Sequence, residues 1–205
     1  MKLITMSYKS IPYSNKILLL FIVLLALGCG SNEDMVDNTN GDNQTLSKNN
    51  VLLIVADDLG LDSTVGYNSG NQKPSMPTIQ KLINAGIKFN NVWSNPVCTP
   101  TRGTILTGKY GYRTSVLKVD DVLSTSEISI FKNLKNNTNY NSAFIGKWHL
   151  SGKPSDRNHP NNMGIDYYAG ILGGGVSDYF NWTLSKNGQN SNVNQYITLS
   201  LIHIS

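Results

Sequence analysis

Val51-Leu52-Leu53-Ile54-Val55-Ala56 is an unbroken apolar run with β-branched residues and no polar alternation. That pattern predicts a strand buried on both faces, as in a parallel sheet. It stops abruptly at Asp57-Asp58-Leu59-Gly60. Pro77 then opens a stretch with Ile79, Leu82 and Ile83 on one helical face, and Gly86 closes it. Ile87 to Trp93 reads as a further strand or extended segment. Ile128, Phe131 and Leu134, three apart, predict a helix from Glu127 to about Lys135, capped by Ser126 or a neighbour. Ser142-Ala143-Phe144-Ile145 reads as a short strand closed by Gly146. Strands alternating with helices predict an α/β architecture with a largely parallel sheet. Ligands of such folds gather beyond the carboxyl ends of the strands. Two polar clusters sit at predicted strand ends, Asp57-Asp58 and Lys147-Trp148-His149.

The first 28 residues follow a different pattern. Lys2, Lys9 and Lys16 lead into the apolar run Ile17 to Leu27, followed by Gly28 and Cys29. Eleven apolar residues fall short of the about 20 that a membrane span needs. The layout is that of a bacterial export signal. Leu25-Ala26-Leu27-Gly28-Cys29 resembles a lipobox, with cleavage before Cys29 and lipidation of that residue. Ordinary secretion and an uncleaved anchor are the alternatives. Residues 29–49 are rich in Asn, Asp, Gly and Ser and read as a flexible tether reaching on the order of 25 Å. The expected location is therefore outside the cytoplasm, at a bacterial membrane through a lipid anchor, in the periplasm or on the cell surface. Asn43, Asn136 and Asn181 begin N-x-S/T triplets, which in a bacterial lipoprotein are coincidental.

Composition changes this picture in two places. The 205 residues carry a formal charge of +4, from 17 Lys and Arg against 13 Asp and Glu. Three of those lysines lie in the export segment, leaving 14 against 13. No basic stripe remains of the kind that phosphate-backbone binding requires, which excludes a nucleic-acid partner. The two cysteines are Cys29 and Cys98. Lipidation consumes the first, so Cys98 is a lone thiol in an exported protein: a small buried hydrophobe, an oxidation liability or a reactive group.

Its neighbours separate those possibilities. Pro96-Val97-Cys98-Thr99-Pro100-Thr101-Arg102-Gly103-Thr104-Ile105-Leu106-Thr107-Gly108 contains C-x-P-x-R followed by T-G. It lies after Asp57-Asp58 and before Gly146-Lys147-Trp148-His149-Leu150. In this order and approximate spacing the three elements resemble the formylglycine-dependent (type I) sulfatases of the alkaline-phosphatase-like superfamily, over about Asn50 to Thr198. The resemblance implies an α/β/α sandwich. It also implies that a formylglycine-generating enzyme oxidises Cys98 to formylglycine, whose hydrated form attacks sulfur with one oxygen and releases sulfate through the second.

Several residue types suit that chemistry. Pro100 can start a helix after Cys98, which brings the nucleophile near a positive helix terminus. Arg102 is always charged and presents a planar fork of donors; by resemblance it holds the formylglycine oxygen. Asp57 and Asp58 offer hard oxygen ligands suited to calcium or magnesium, or else a solvated turn. The resemblance places a divalent cation, calcium before magnesium, on that pair and on position 98. Lys147 and His149 alternate along an extended strand end, so both can point to one side. By resemblance Lys147 contacts the substrate sulfate and the diol, and His149 assists in removing a proton from the diol. Lys109, His159 and His203 receive no chemical role. Gly164 to Tyr168, Gly173-Gly174-Gly175 and Asp178-Tyr179-Phe180 read either as a sugar-binding rim or as packed loop.

The resemblance implies sulfate ester hydrolysis on sulfated carbohydrate or aryl sulfate esters. A phosphate or phosphonate monoester hydrolase and a non-catalytic glycan-binding lipoprotein are the competing readings. The family's Asp-Asn metal pair, distal lysine and leaving-group histidine do not map onto this chain. Residues 50–198 are accordingly expected to be the N-terminal part of a catalytic domain truncated at its C-terminus and inactive alone. Residues 199–205 form an atypical end, read as an artefact.

Overall fold

Short helices and a small sheet account for most of the regular structure. The computed structural model describes residues 49–203. The predicted export signal, Cys29, nearly all of the tether and residues 204–205 lie outside that range. Residues 53–205 form one compact unit; before it, residues 49–52 are described and carry no regular structure.

In the second unit a 3₁₀ turn, Leu61–Ser63, precedes helix α1, Pro77–Ala85, with Pro77 in its first turn and Gly86 as C-cap. Helices α2, Cys98–Thr107, and α3, Gly111–Thr114, follow. Helix α2 ends on Gly108, whose left-handed φ of 66° lets its N–H bond back to Thr104. Helix α4 spans Ile130–Asn137 and leads to strand β1, Ala143–Lys147. The short helix α5, His159–Asn162, precedes β2, Tyr167–Ile171. Strands β3, Trp182–Lys186, and β4, Gln189–Val193, form a hairpin before α6, Ile197–Ile202.

The sheet order is β1-β2-β3-β4. Only β1 and β2 run parallel; the other two pairings are antiparallel. The α/β class expected from the pattern holds, but the described sheet is mixed rather than largely parallel. The reason is local. The connection from β1 to β2 passes through α5, whereas Asn187 and Gly188 at φ 44° and 79° turn β3 directly onto β4.

Two expected strands and two element boundaries also differ from expectation. Val51 to Ala56 forms no strand; Val51 and Leu52 are 83% and 85% exposed. An apolar run specifies burial, but a strand also needs a neighbour for its backbone groups, and no described strand pairs with this one. Ile87 to Trp93 likewise carries no strand. Helix α4 starts three residues later than its pattern suggested. Ser129, not Ser126, is the cap: its Oγ accepts from Lys132 N and donates to Met163 O.

Strand β1 runs through Gly146 to Lys147 instead of stopping there. Gly146 faces Gly170 of β2, where a Cβ on Gly170 would lie 1.8 Å from Gly146 O. The core gathers behind these two strands and α2. Leu106, Val116, Leu123, Trp148, Leu150, Met163 and Tyr168 are buried together, with Phe131 and Phe144 packed against them. No helix among the described residues is long and apolar enough to cross a membrane.

Candidate active site

Cys98 is the first residue of α2. Val97 before it is extended, at φ −136° and ψ 160°, and no side chain caps this end. The helix thus begins two residues earlier than Pro100, which occupies the first turn, where a missing N–H costs nothing. Asn95 secures the entry: its N–H bonds Thr101 Oγ1 at 3.1 Å and its side-chain amide bonds Thr104 Oγ1 at 3.2 Å. The i, i+4 spacing puts Arg102 on the same helical face as Cys98.

Arg102 is 8% exposed and ties three segments together. Nη1 donates to Lys147 O at the end of β1, and Nη2 lies 3.3 Å from Asp57 Oδ1. Nε is buried with no hydrogen-bond partner among the described residues. Lys147 Nζ reaches the other Asp57 oxygen at 2.6 Å. Burial pushes the Asp57 carboxyl up, but the hydrogen bond from Lys147 and the charges of Arg102 and Lys147 outweigh it and hold it below the usual carboxylate value. One acid and two cations meet where α2, β1 and the segment after Ala56 converge.

His149 completes the cluster. Its Nδ1 lies 3.2 Å from Cys98 Sγ and its Nε2 lies 2.9 Å from Asp120 Oδ1. The chain does not reach this position by strand alternation. Strand β1 ends at Lys147, and His149 turns left-handed at φ 59° while its N–H bonds Leu172 O. That turn swings the ring over the start of α2. Gly174 lies against the ring, where a Cβ would sit 2.6 Å from Cε1. The middle glycine of the triplet therefore has a packing reason.

Asp120 is the site residue that sequence reasoning missed. Its only local signal is the Asp120-Asp121 pair, which resembles any polar loop. Asp121 accepts from the N–H groups of Leu117 and Lys118, and these two bonds hold its carboxyl below the usual value while shaping the loop.

The predicted metal set fares differently. Asp57, Asp58 and Cys98 are not drawn together by any contact between them among the described residues. Asp57 faces two cations, Asp58 is left-handed at φ 56°, and no group of three or more potential ligands converges among the described residues. The two carboxylates have the hard-oxygen chemistry that a divalent cation takes, and Asp57 is engaged by Arg102 and Lys147. Lys109 pairs with Glu127, His159 is buried in the core, and His203 is exposed. A separate cavity of about 380 Å³ beside Leu172 and Gly173 is lined by Arg157, Asn181, Trp182 and Asn190.

A half-buried cysteine thus opens α2 with His149 at its sulfur, while Arg102 and Lys147 are gathered on Asp57. The chain belongs to the sulfatase family, whose model matches residues 49–199. Human steryl-sulfatase is 33% identical over 141 residues, covering 61% of this chain and 24% of that protein. The ulvan-active sulfatase of Formosa agariphila is 32% identical over 128 residues, with the same coverage of 61% and 24%. A solved structure in complex with its substrate D-glucosamine-2-N,6-O-disulfate superposes with a TM-score of 0.58 at 26% identity, covering 70% of this chain and 27% of that one. Together these place the chain in the alkaline-phosphatase-like fold. It spans about a quarter of the length of the relatives it matches.

Proposed function

We propose that the gene product hydrolyses sulfate esters, with position 98 as nucleophile. The observation that carries this reading is His149 Nδ1 at 3.2 Å from Cys98 Sγ on the helix that also carries Arg102, with Arg102 and Lys147 gathered on Asp57. Sulfate is a weakly basic anion, so its transfer depends on donors and cations arranged around its oxygens. The uncapped N-terminus of α2 supplies backbone N–H groups and a partial positive charge. Arg102 adds a buried donor, Nε, that no described group uses. Lys147 Nζ, paired with Asp57, would turn towards a sulfate oxygen. His149 Nδ1 is within reach of the atom on Cβ of residue 98 and is the group that takes its proton. Oxidised to formylglycine, residue 98 would supply a hydrated carbonyl whose two oxygens serve attack and release in turn.

Family membership implies a divalent cation, and calcium on Asp57 and Asp58 is part of this proposal. Two carboxylates are fewer than the six to eight oxygens calcium takes, so no step is assigned to the ion. Sulfated carbohydrate is the proposed substrate class. Supporting it are a relative named for activity on ulvan, a similar structure bound to a disulfated glucosamine, and the polar cavity with Trp182 and Arg157 beside the glycine loop. A formylglycine-generating enzyme is the proposed maturation partner, and acylation of Cys29 the proposed anchor. Mass spectrometry of the native N-terminus would show that anchor.

The test is turnover of matched sulfate and phosphate monoesters by the full gene product, produced with the maturing enzyme. Sulfate turnover lost in Cys98→Ala is expected. Preferred phosphate turnover, or an unmodified Cys98 peptide in active protein, would overturn the reading.

A further inference from the structure

We propose that Asp120 is a positioning residue that fixes His149 in the Nε2–H tautomer and turns the bare Nδ1 towards position 98. The inference rests on the proton-accepting role given to His149 above and adds the group that enforces it.

For a neutral imidazole the geometry allows one assignment. Asp120 Oδ1 lies 2.9 Å from His149 Nε2, and Oδ2 lies 2.7 Å from Lys153 Nζ. Hydrogen bonds from Lys153 and from His149 hold the Asp120 carboxyl below the usual value. It is therefore ionised at neutral pH, and an ionised carboxylate only accepts. The proton of a neutral His149 thus sits on Nε2. Nδ1, 3.2 Å from Cys98 Sγ, keeps its lone pair and is an acceptor facing residue 98.

Asp120 is itself held in place from the nucleophile's own helix. Its backbone N–H donates to Thr99 Oγ1 at 3.3 Å, and Thr99, the neighbour of Cys98, is fully buried. Both ends of the pair carry unfavourable backbone, φ 65° at Asp120 and φ 59° at His149. Left-handed backbone is uncommon for histidine and persists where surrounding contacts over-determine it. The contacts here are those that aim the ring: His149 N–H to Leu172 O, Gly174 against the imidazole edge, and Asp120 on Nε2. Cys98, His149 and Asp120 therefore line up as reacting position, base and orienter, although Asp120 touches no reacting atom.

Two readouts test this. In isotope-labelled full-length protein, imidazole nitrogen NMR should show His149 as the Nε2–H tautomer, with its signals identified by their loss in His149→Gln. Asp120→Asn, which can both accept from and donate to the ring, should mix the two tautomers, and Asp120→Ala should remove the preference. In sulfate ester turnover, Asp120→Asn should lower kcat by about 10- to 100-fold with KM unchanged, the scale of lost orientation behind an acting group. Asp120→Glu should restore part of the loss. Should Asp120→Ala fail to fold, the asparagine and glutamate variants carry the comparison. An unaltered tautomer in a folded Asp120→Asn protein, or kcat and KM moving together, would overturn the proposal. The NMR result stands whether or not sulfate esters are hydrolysed, so absent turnover with the expected tautomer counts only against the proposed function.

Discussion

His149 and His159 lie ten residues apart in sequence and show how surroundings decide what an imidazole does. His149 faces a thiol and a carboxylate at the edge of the site. His159 is enclosed: Trp148 Nε1 donates to its Nδ1 at 3.1 Å, and its Nε2 donates to Leu123 O at 2.7 Å. Burial pushes its pKa below the ordinary 6.5, outweighing the hydrogen bond to Leu123 O. A histidine whose folded value is depressed contributes stability that is fully present above its unfolded value. As pH falls through 6.5 the unfolded chain takes up a proton first, and stability declines until the folded value is passed. The urea midpoint should therefore drop between about pH 7.5 and pH 5.5. His159→Gln, which can keep both hydrogen bonds without titrating, should drop less. Equal slopes for the two proteins would refute this account. Legibility differs at this scale too. Cys98 and Arg102 stand out because they form the ends of a C-x-P-x-R string that resembles a family motif. Asp120 does not, because left-handed turns at two positions 29 residues apart create its contact with His149.

Among the elements, α1, α4 and β1 were legible to within a turn, whereas two expected strands did not form and β2, β3 and β4 carried no expectation. Helix α1 carries Pro at its start and Gly at its end, signals that act locally. For α4 the hydroxyls of Ser124, Ser126 and Ser129 all compete for the cap. Ser124 and Ser126 bond each other, and the buried Ser129 takes the cap because Met163 O needs its hydroxyl. That choice depends on a residue 34 positions away. Ser129→Ala removes the cap and leaves a buried carbonyl unpaired, a cost of about 1–3 kcal/mol. Chemical denaturation should register it, and Ser126→Ala should change stability far less; equal effects would move the cap back to Ser126. The hairpin illustrates the opposite case. Asn187-Gly188 is a strong turn signal, yet β4, Gln189-Asn190-Ser191-Asn192-Val193, has too few apolar residues for a hydrophobic pattern to reveal it.

At the scale of the molecule, order is unevenly distributed. No residue from Asn49 to Val97 is buried, whereas the core runs from α2 through β2. Asp57 belongs to the exposed stretch, but the site needs it beside Arg102 and Lys147. The contacts shown to hold it there are two ion pairs, with its side chain 37% exposed. Both cations are largely buried, so salt screens these pairs less than exposed ones but still weakens them, its Debye length falling from about 8 Å at physiological strength to about 3 Å at 1 M. Hydrogen exchange should accordingly protect residues 98–172 and leave 53–97 fast, because local opening is cheapest where little apolar surface is buried. Within the fast stretch, residues 55–60 should exchange faster still at high salt and in Asp57→Asn. Slow exchange there, insensitive to both changes, would mean that packing rather than charge fixes Asp57. The apolar run Val51 to Ala56 would then be a structural strand after all, and the acid at its end would be placed by the sheet, independently of the cations it faces.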